Sequence, residues 1–343
     1  MPLKPFLRLL RDGRLTALLG VGGLLKPFYK LTYLAAAGEV GLLKRLAAGP
    51  ATFDSLAEFF VARGQGNAGS QSLSALEAWL QMGVGLGLLK LGPDGYSLRG
   101  LAQALARPEN DAALALVEEV VGLHHKLITG TVPKLRGGEL WSLADQDGEL
   151  IARSSRVLEA FQEEVIQRTF PARSVVRLLE IGCGSGVYLR YAAAWNPALS
   201  AVGVELQAAV AEVAKMNLRG WGLQDRVRVE EGDIRAKVAS EQFDIATLYN
   251  NIYYFPVDER VALFEHIGGF LKPRGFLLVI TLCQGGSLSV EALNLWAAAT
   301  RGAGRLPAEQ ELVRQLRDAG YSTVKTMSLI PGDRLVAFQA FRG

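Results

Sequence analysis

Three glycines, Gly182, Gly184 and Gly186, alternate with Cys183 and Ser185 and follow directly on the run Leu178-Leu179-Glu180-Ile181. Glycines at every second position let the backbone turn through conformations that side chains forbid, and they let a ligand approach the main chain closely. A small-molecule cofactor belongs at such a turn, with the Glu180 carboxylate two residues ahead of it. The spacing discriminates between chemistries. A dinucleotide fingerprint, G-x-G-x-x-G or A, counted from Gly182, needs a third small residue where this chain has Val187, so the nicotinamide reading is weakened.

The elements that must carry this turn are legible on either side of it. Residues 175–181 are rich in β-branched and aliphatic side chains, as in a buried parallel strand, and helical spacing resumes after Gly186. Val202-Gly203-Val204-Glu205 is a second apolar run ending on an acid, where a carboxylate can accept from two ribose hydroxyls. Residues 226–229 read as a third strand, followed by Gly232-Asp233-Ile234, and 243–249 as a fourth. A helix, a turn at Lys272-Pro273-Arg274-Gly275 and a fifth strand come next, and 321–329 with 335–341 form a hairpin across Pro331-Gly332-Asp333.

Glu180 before G-x-G-x-G, then Glu205, then Gly232-Asp233-Ile234, in this order over residues 172–343, resembles the class I S-adenosylmethionine-dependent methyltransferases. The resemblance implies an α/β, Rossmann-like seven-stranded core, a parallel sheet with an antiparallel edge hairpin. It also implies S-adenosyl-L-methionine as cofactor and S-adenosyl-L-homocysteine as product. Cofactor contacts then fall to Glu180, Gly182, Gly184, Gly186, Glu205, Asp233 (beside the adenine amino group), Ile234, Tyr249 and Asn250.

The first half reads as helices over 31–46, 52–61 and 72–81, then a hairpin across Gly92-Pro93-Asp94-Gly95 and a further helix near 112–126. Three helices and a hairpin make a winged helix. Placed before a methyltransferase core, this is similar to the small-molecule O-methyltransferases in which a mainly α winged-helix domain dimerises. The expected domains are 1–110 for dimerisation, 111–171 as linking helices lining the acceptor pocket, and 172–343 for cofactor binding. A DNA-reading role is disfavoured, because no lysine or arginine lies between Arg63 and Lys90, the segment that holds the third helix.

The acceptor chemistry turns on a substitution. The resembled enzymes place a base histidine beyond strand four, and here the matching stretch is Tyr249-Asn250-Asn251-Ile252-Tyr253-Tyr254-Phe255, with Tyr253 at that position. A phenol with a reference pKa of about 10 is a poor base near neutrality. The chain has 3 histidines. His266 reads as a solvated helix position; His124 and His125 lie on the linking helix, where at most one faces the pocket. Tyr253, His124 and His125 are therefore the catalytic candidates. In the favoured scheme the acceptor needs no histidine base, being a nitrogen, a sulfur, an acidic oxygen or an activated carbon; the alternative is a hydroxyl with His124 or His125 as base. Asn251, Tyr254, Trp296 and Arg156 are the substrate candidates, with core packing expected of Ile252 and Phe255. After strand five, Thr281-Leu282-Cys283-Gln284 offers no carboxylate cluster, so no metal is expected. The non-enzymic alternative is a cofactor-binding scaffold or regulator.

Composition bounds the rest. At 343 residues and 50% hydrophobic content the chain can build two cores, and a net charge of +3 gives no global argument for nucleic acid as partner. Two cysteines far apart read as thiols, which fits a reducing cytoplasm. No apolar run is long enough to span a bilayer. The first 30 residues hold six basic side chains and one acid among many leucines. Gly13, Gly20, Gly22 and Gly23 argue against a long helix there. A dimer-swapped arm is favoured over membrane-surface contact, giving a homodimer with a small-molecule substrate as the expected partners.

Overall fold

The computed structural model describes residues 3–61, 69–240 and 242–342. They form two units, one comprising the residues up to His125 together with Glu149–Val157, the other Lys126–Gly148 together with the residues from Leu158 onward. The stretch 111–171, expected to link two domains, is thus divided between both.

In the first unit the apolar spacing yields α1 (Leu3–Arg11), α2 (Arg14–Glu39), α3 (Leu42–Ala47), α4 (Phe53–Val61) and α5 (Ser70–Gly85). A hairpin of β1 (Leu89–Gly92) and β2 (Gly95–Leu98) follows, then α6 (Leu101–Leu105) and α7 (Asp111–Glu119). Thr52 starts α4 by accepting the Ser55 N–H at 3.2 Å. Tyr33, Leu34, Leu42, Leu56, Leu80, Leu89 and Tyr96 share one buried core. One expectation fails: the glycines of the N-terminal segment do not interrupt it, and α2 runs unbroken for 26 residues through Gly20, Gly22, Gly23 and Pro27. Glycine costs only about 1 kcal/mol per helix position, and the buried C-terminal part of α2 (Tyr33, Leu34, Ala35, Ala37) anchors the helix against that cost. Only Gly13, at φ 70°, breaks the path, between α1 and α2. Among the described residues no helix is long and apolar enough to cross a membrane.

After α7 come a π turn (Val120–His124), α8 (His125–Arg136), α9 (Gly148–Ser154) and α10 (Glu159–Thr169). The second unit is then wound from β3 (Val176–Ile181), α11 (Val187–Trp195), β4 (Leu199–Glu205), α12 (Ala208–Gly220), β5 (Val227–Glu231) and β6 (Phe243–Tyr249). It closes with α13 (Arg260–Gly269), β7 (Leu271–Leu282), α14 (Leu288–Ala299), α15 (Glu309–Asp318), β8 (Tyr321–Ser328) and β9 (Leu335–Arg342). The sheet order is β5-β4-β3-β6-β7-β9-β8, parallel except where β9 pairs antiparallel with β7 and β8. This is the expected seven-stranded α/β core with its edge hairpin. Side chains alternate between two buried clusters on opposite faces, Leu179, Ile181 and Leu248 in one, Leu178, Ile245 and Leu278 in the other. The turn expected at Lys272-Pro273-Arg274-Gly275 is absorbed into β7 as an irregularity: Phe243 pairs with Leu271 but Ile245 pairs with Phe276, with Arg274 at φ 67°.

The carboxyl ends of β3, β4 and β6 are neighbours, as Ile181 pairs with both Val204 and Leu248. The chain order reverses here, β3 feeding β4 on one side while β6 lies on the other, and such a crevice is where open α/β sheets bind ligands.

Candidate active site

Gly182, Gly184 and Gly186 carry φ of 65°, 53° and 81°, all in the left-handed region. The turn is tied down by Gly182 N–H and Cys183 N–H donating to Val204 O at 2.7 and 3.2 Å, and by Gly186 N–H donating to Cys183 O at 2.9 Å. A Cβ on Gly184 would have no heavy atom of the described residues beyond its chain neighbours within 4 Å, so the turn presents open main chain there. Glu205 closes β4 against it: one carboxylate oxygen accepts Gly184 N–H at 3.0 Å, the other accepts Gln207 N–H at 3.0 Å. Each oxygen retains a second lone pair.

Glu180 is wholly buried, and neither carboxylate oxygen has a hydrogen-bond partner among the described residues. Burial, with Glu205 adding like charge, raises its pKa well above the usual carboxylate value. A buried acid left without donors is costly, and this one stands at the edge of a glycine turn. Tyr249 closes β6 with its ring 4.8 Å from that of Tyr188, and burial, aided by Glu180, pushes its phenol well up.

Asp233 begins the turn Ile234–Ala236 by accepting Arg235 N–H at 2.9 Å, and it also takes the Arg235 guanidinium at 2.7 Å, which holds its carboxyl low. Arg235 reaches Glu259 as well, at 3.0 Å. Ile234 is buried, and its carbonyl lies 2.9 Å from His266 Nε2. The expectation of a solvated His266 is thus corrected: the ring is half-buried, bonded to this turn and packed edge-on to Phe270 at 5.3 Å. Tertiary placement of α13 decides its role, which no local pattern announced.

Beyond β6, Asn250 has φ 49°, unusual outside glycine, and its buried side-chain oxygen has no partner among the described residues. Asn251 donates its side-chain N–H to Ile181 O, binding the ends of β6 and β3 together. Ile252 and Phe255 pack into the core as expected. Tyr253 is buried, and its ring centroid lies 5.0 Å from Tyr254 and 6.3 Å from Trp296; Tyr254 meets Trp296 at 5.5 Å. Trp296 is only 1% exposed, with its indole N–H unpartnered among the described residues. Sequence reasoning missed Trp141, which pairs with the end of α14 (Trp141 N–H to Ala299 O, Arg301 N–H to Trp141 O, both 2.8 Å) and donates to Thr131 on α8 at 3.1 Å.

Three candidates lie in the first unit or at its end. His124 is buried with Nε2 3.1 Å from Glu119 Oε1, and His125 opens α8. Glu119 was not foreseen, because a five-residue separation faces one side only through the π turn between them. Arg156 is exposed, with Asp111 in its electrostatic field, while its neighbour Arg153 is committed to Asp111 at 2.6 Å and Glu118 at 3.2 Å.

A family profile described as a methyltransferase domain matches residues 153–326. The chain is 25% identical over 118 residues to the release factor glutamine methyltransferase of Caulobacter vibrioides, a match covering 34% of this chain and only 40% of that protein's length. Among solved structures, the mitomycin 7-O-methyltransferase MmcR superposes with TM-score 0.78 at 21% identity, covering 97% of this chain and 99% of that one. Human N-acetylserotonin methyltransferase, solved with S-adenosylmethionine, gives TM-score 0.71 at 19% identity over 95% of this chain and 98% of that one. At such identities the two structures share the fold with this chain.

Proposed function

This chain belongs to the methyltransferase-domain family, and we propose that it transfers a methyl group from S-adenosylmethionine to a small-molecule acceptor. The observation that carries the reading is Glu180, a buried carboxyl without donors at the edge of a left-handed glycine turn. A cationic amino group is the partner such an acid lacks, and the cofactor's amino acid end carries one. The free lone pairs of Glu205 suit the two ribose hydroxyls, and Asp233 with Ile234 forms the adenine side. Tyr249 and Asn250 complete the cofactor set at the end of β6. The bound sulfonium supplies a methyl group already activated for in-line displacement. The protein's part is then chiefly to hold the acceptor in line, a contribution that reaches about 7–11 kcal/mol in well-oriented systems.

Tyr253, Tyr254 and Trp296 form the wall that would orient the acceptor, with Asn251 beneath the glycine turn; Arg156 is kept as a separate substrate candidate. Tyr253 is the best match to the base histidine of the resembled small-molecule O-methyltransferases. We therefore favour an acceptor atom that is nucleophilic without an enzymic base. One observation favours a second reading, a hydroxyl acceptor with His124 as base: the Glu119 carboxylate at 3.1 Å would fix the imidazole and stabilise its cation, as the orienting acid does in a catalytic triad. Two variants separate these schemes. In the favoured one, His124→Gln and Tyr253→Phe each keep turnover within about twofold; loss of about 100-fold or more in His124→Gln alone would install the hydroxyl scheme.

The N-terminal helices support a homodimer. Leu18, Leu19, Leu24 and Phe28 of α2 are 53–71% exposed, and so much apolar surface on one helix suits a place inside an assembly. We take the first unit, with its helices and hairpin, as a winged-helix dimerisation domain, and a second copy as the cover of α2.

A further inference from the structure

The single turn Ile252–Tyr254 carries both tyrosines of the acceptor wall, and what holds it is Arg260, the first residue of α13 and wholly buried. Arg260 Nε donates to Phe255 O at 3.2 Å, at the end of that turn, and Nη2 donates to Arg305 O at 2.7 Å, in the segment that follows α14. Beside this fork, Gly304 N–H donates to Tyr253 O at 2.9 Å. A Cβ on Gly304 would stand 2.8 Å from Phe255 O and 2.9 Å from Arg260 Nη2, so only glycine lets the two segments meet. The wall's third ring, Trp296, sits on α14 just ahead of the clamped segment.

A guanidinium is an expensive way to fill a buried space, since an apolar side chain of similar volume often stabilises as well or better. Burial pulls the Arg260 pKa down to about 10, with Glu311 opposing, so the side chain remains charged near neutrality. Glu311 is itself held by both terminal nitrogens of Arg305, at 2.7 and 2.8 Å. What the planar fork provides, and an apolar side chain does not, is a fixed distance between two main-chain carbonyls.

We propose that Arg260, with Gly304 against it, is a positioning residue for methyl transfer: it locks the Tyr253–Tyr254 turn to the segment after Trp296 and so sets the shape of the acceptor wall. The proposal rests on the methyl-transfer reading and adds a residue that touches neither cofactor nor acceptor.

The test uses the full chain with Arg260→Lys, which keeps charge but not the fork, and Gly304→Ala as an independent second variant. Amide exchange, read by mass spectrometry without any acceptor, is expected to quicken about tenfold or more in peptides covering 251–257 and 301–306 and to stay unchanged over 176–186. With the first acceptor that takes label from methyl-labelled S-adenosylmethionine in a panel of phenols and aromatic amines, the acceptor KM is expected to rise about tenfold or more. The dissociation constant of S-adenosylhomocysteine should stay within about twofold of wild type. Unchanged exchange at both segments, or exchange quickened throughout the unit, overturns the clamp. An acceptor KM that does not move, or a cofactor affinity that falls in step with it, overturns the positioning role while leaving the clamp. A wild-type protein that binds S-adenosylhomocysteine but labels nothing overturns the functional reading, and the positioning role with it, while the exchange result still judges the clamp.

Discussion

Replacing Glu180 with glutamine separates the cofactor's demand from the fold's. In the ligand-free protein the acid is buried without donors and its pKa is raised, first by burial and then by Glu205. A carboxyl whose folded pKa lies above its unfolded value of about 4.3 contributes stability that is complete below that pH and lost as pH rises through the folded value. Glu180→Gln cannot ionise. The ligand-free variant should therefore gain on wild type as pH rises above about 4.3, the difference widening until the acid has ionised. Cofactor binding moves the other way, because a hydrogen bond to a charged group contributes about 1.5–3 kcal/mol, which is about 10- to 150-fold in affinity. Binding should also release a proton from wild type and none from the variant, since the amino group favours the ionised acid. Titration calorimetry with S-adenosylhomocysteine in two buffers of different ionisation enthalpy, and thermal unfolding at pH 5 and 8, read all three effects. Equal affinity and equal proton release in the two proteins would refute the assignment of Glu180 to the amino group.

Two further outcomes follow from the same geometry. Gly184→Val places a β-branched side chain at φ 53° and into the open face of the turn, so S-adenosylhomocysteine affinity should fall by about 100-fold or more by calorimetry, and retained affinity would move the site elsewhere. Leu24→Asp puts a charge on the exposed apolar part of α2; light scattering after gel filtration should show a dimer for wild type and a monomer for the variant, and two dimers would mean another surface joins the copies.

The parallel core was readable because its strands are continuous apolar runs punctuated by glycine and closing acids, a signal that depends only on near neighbours. Residues 178–186 and Glu205 belong to this class, whereas the hairpin of 321–329 and 335–341 was readable from its Pro331-Gly332-Asp333 turn, β8 itself being largely exposed. What escaped is what tertiary contact decides. α2 tolerates Gly20, Gly22, Gly23 and Pro27 because its C-terminal half is anchored in a core, and propensity alone weighs them too heavily. Glu119 and His124 meet only because one turn widens to π geometry. His266, Trp141 and Arg260 have unremarkable sequence neighbours; their partners, Ile234, Ala299 and Arg305, lie far along the chain. Asn251 looked like a ligand from its place after β6, yet its amide first serves to join the ends of two strands.

The central claim is transfer of a methyl group to a small molecule. Its most direct test is incubation of the full chain with methyl-labelled S-adenosylmethionine and an extract of the source cells, separated into small-molecule and macromolecular fractions and analysed by mass for the modified atom. The expected result is label in a small molecule, lost in Gly184→Val. Label in protein or nucleic acid, or none despite measured cofactor binding, would contradict the account.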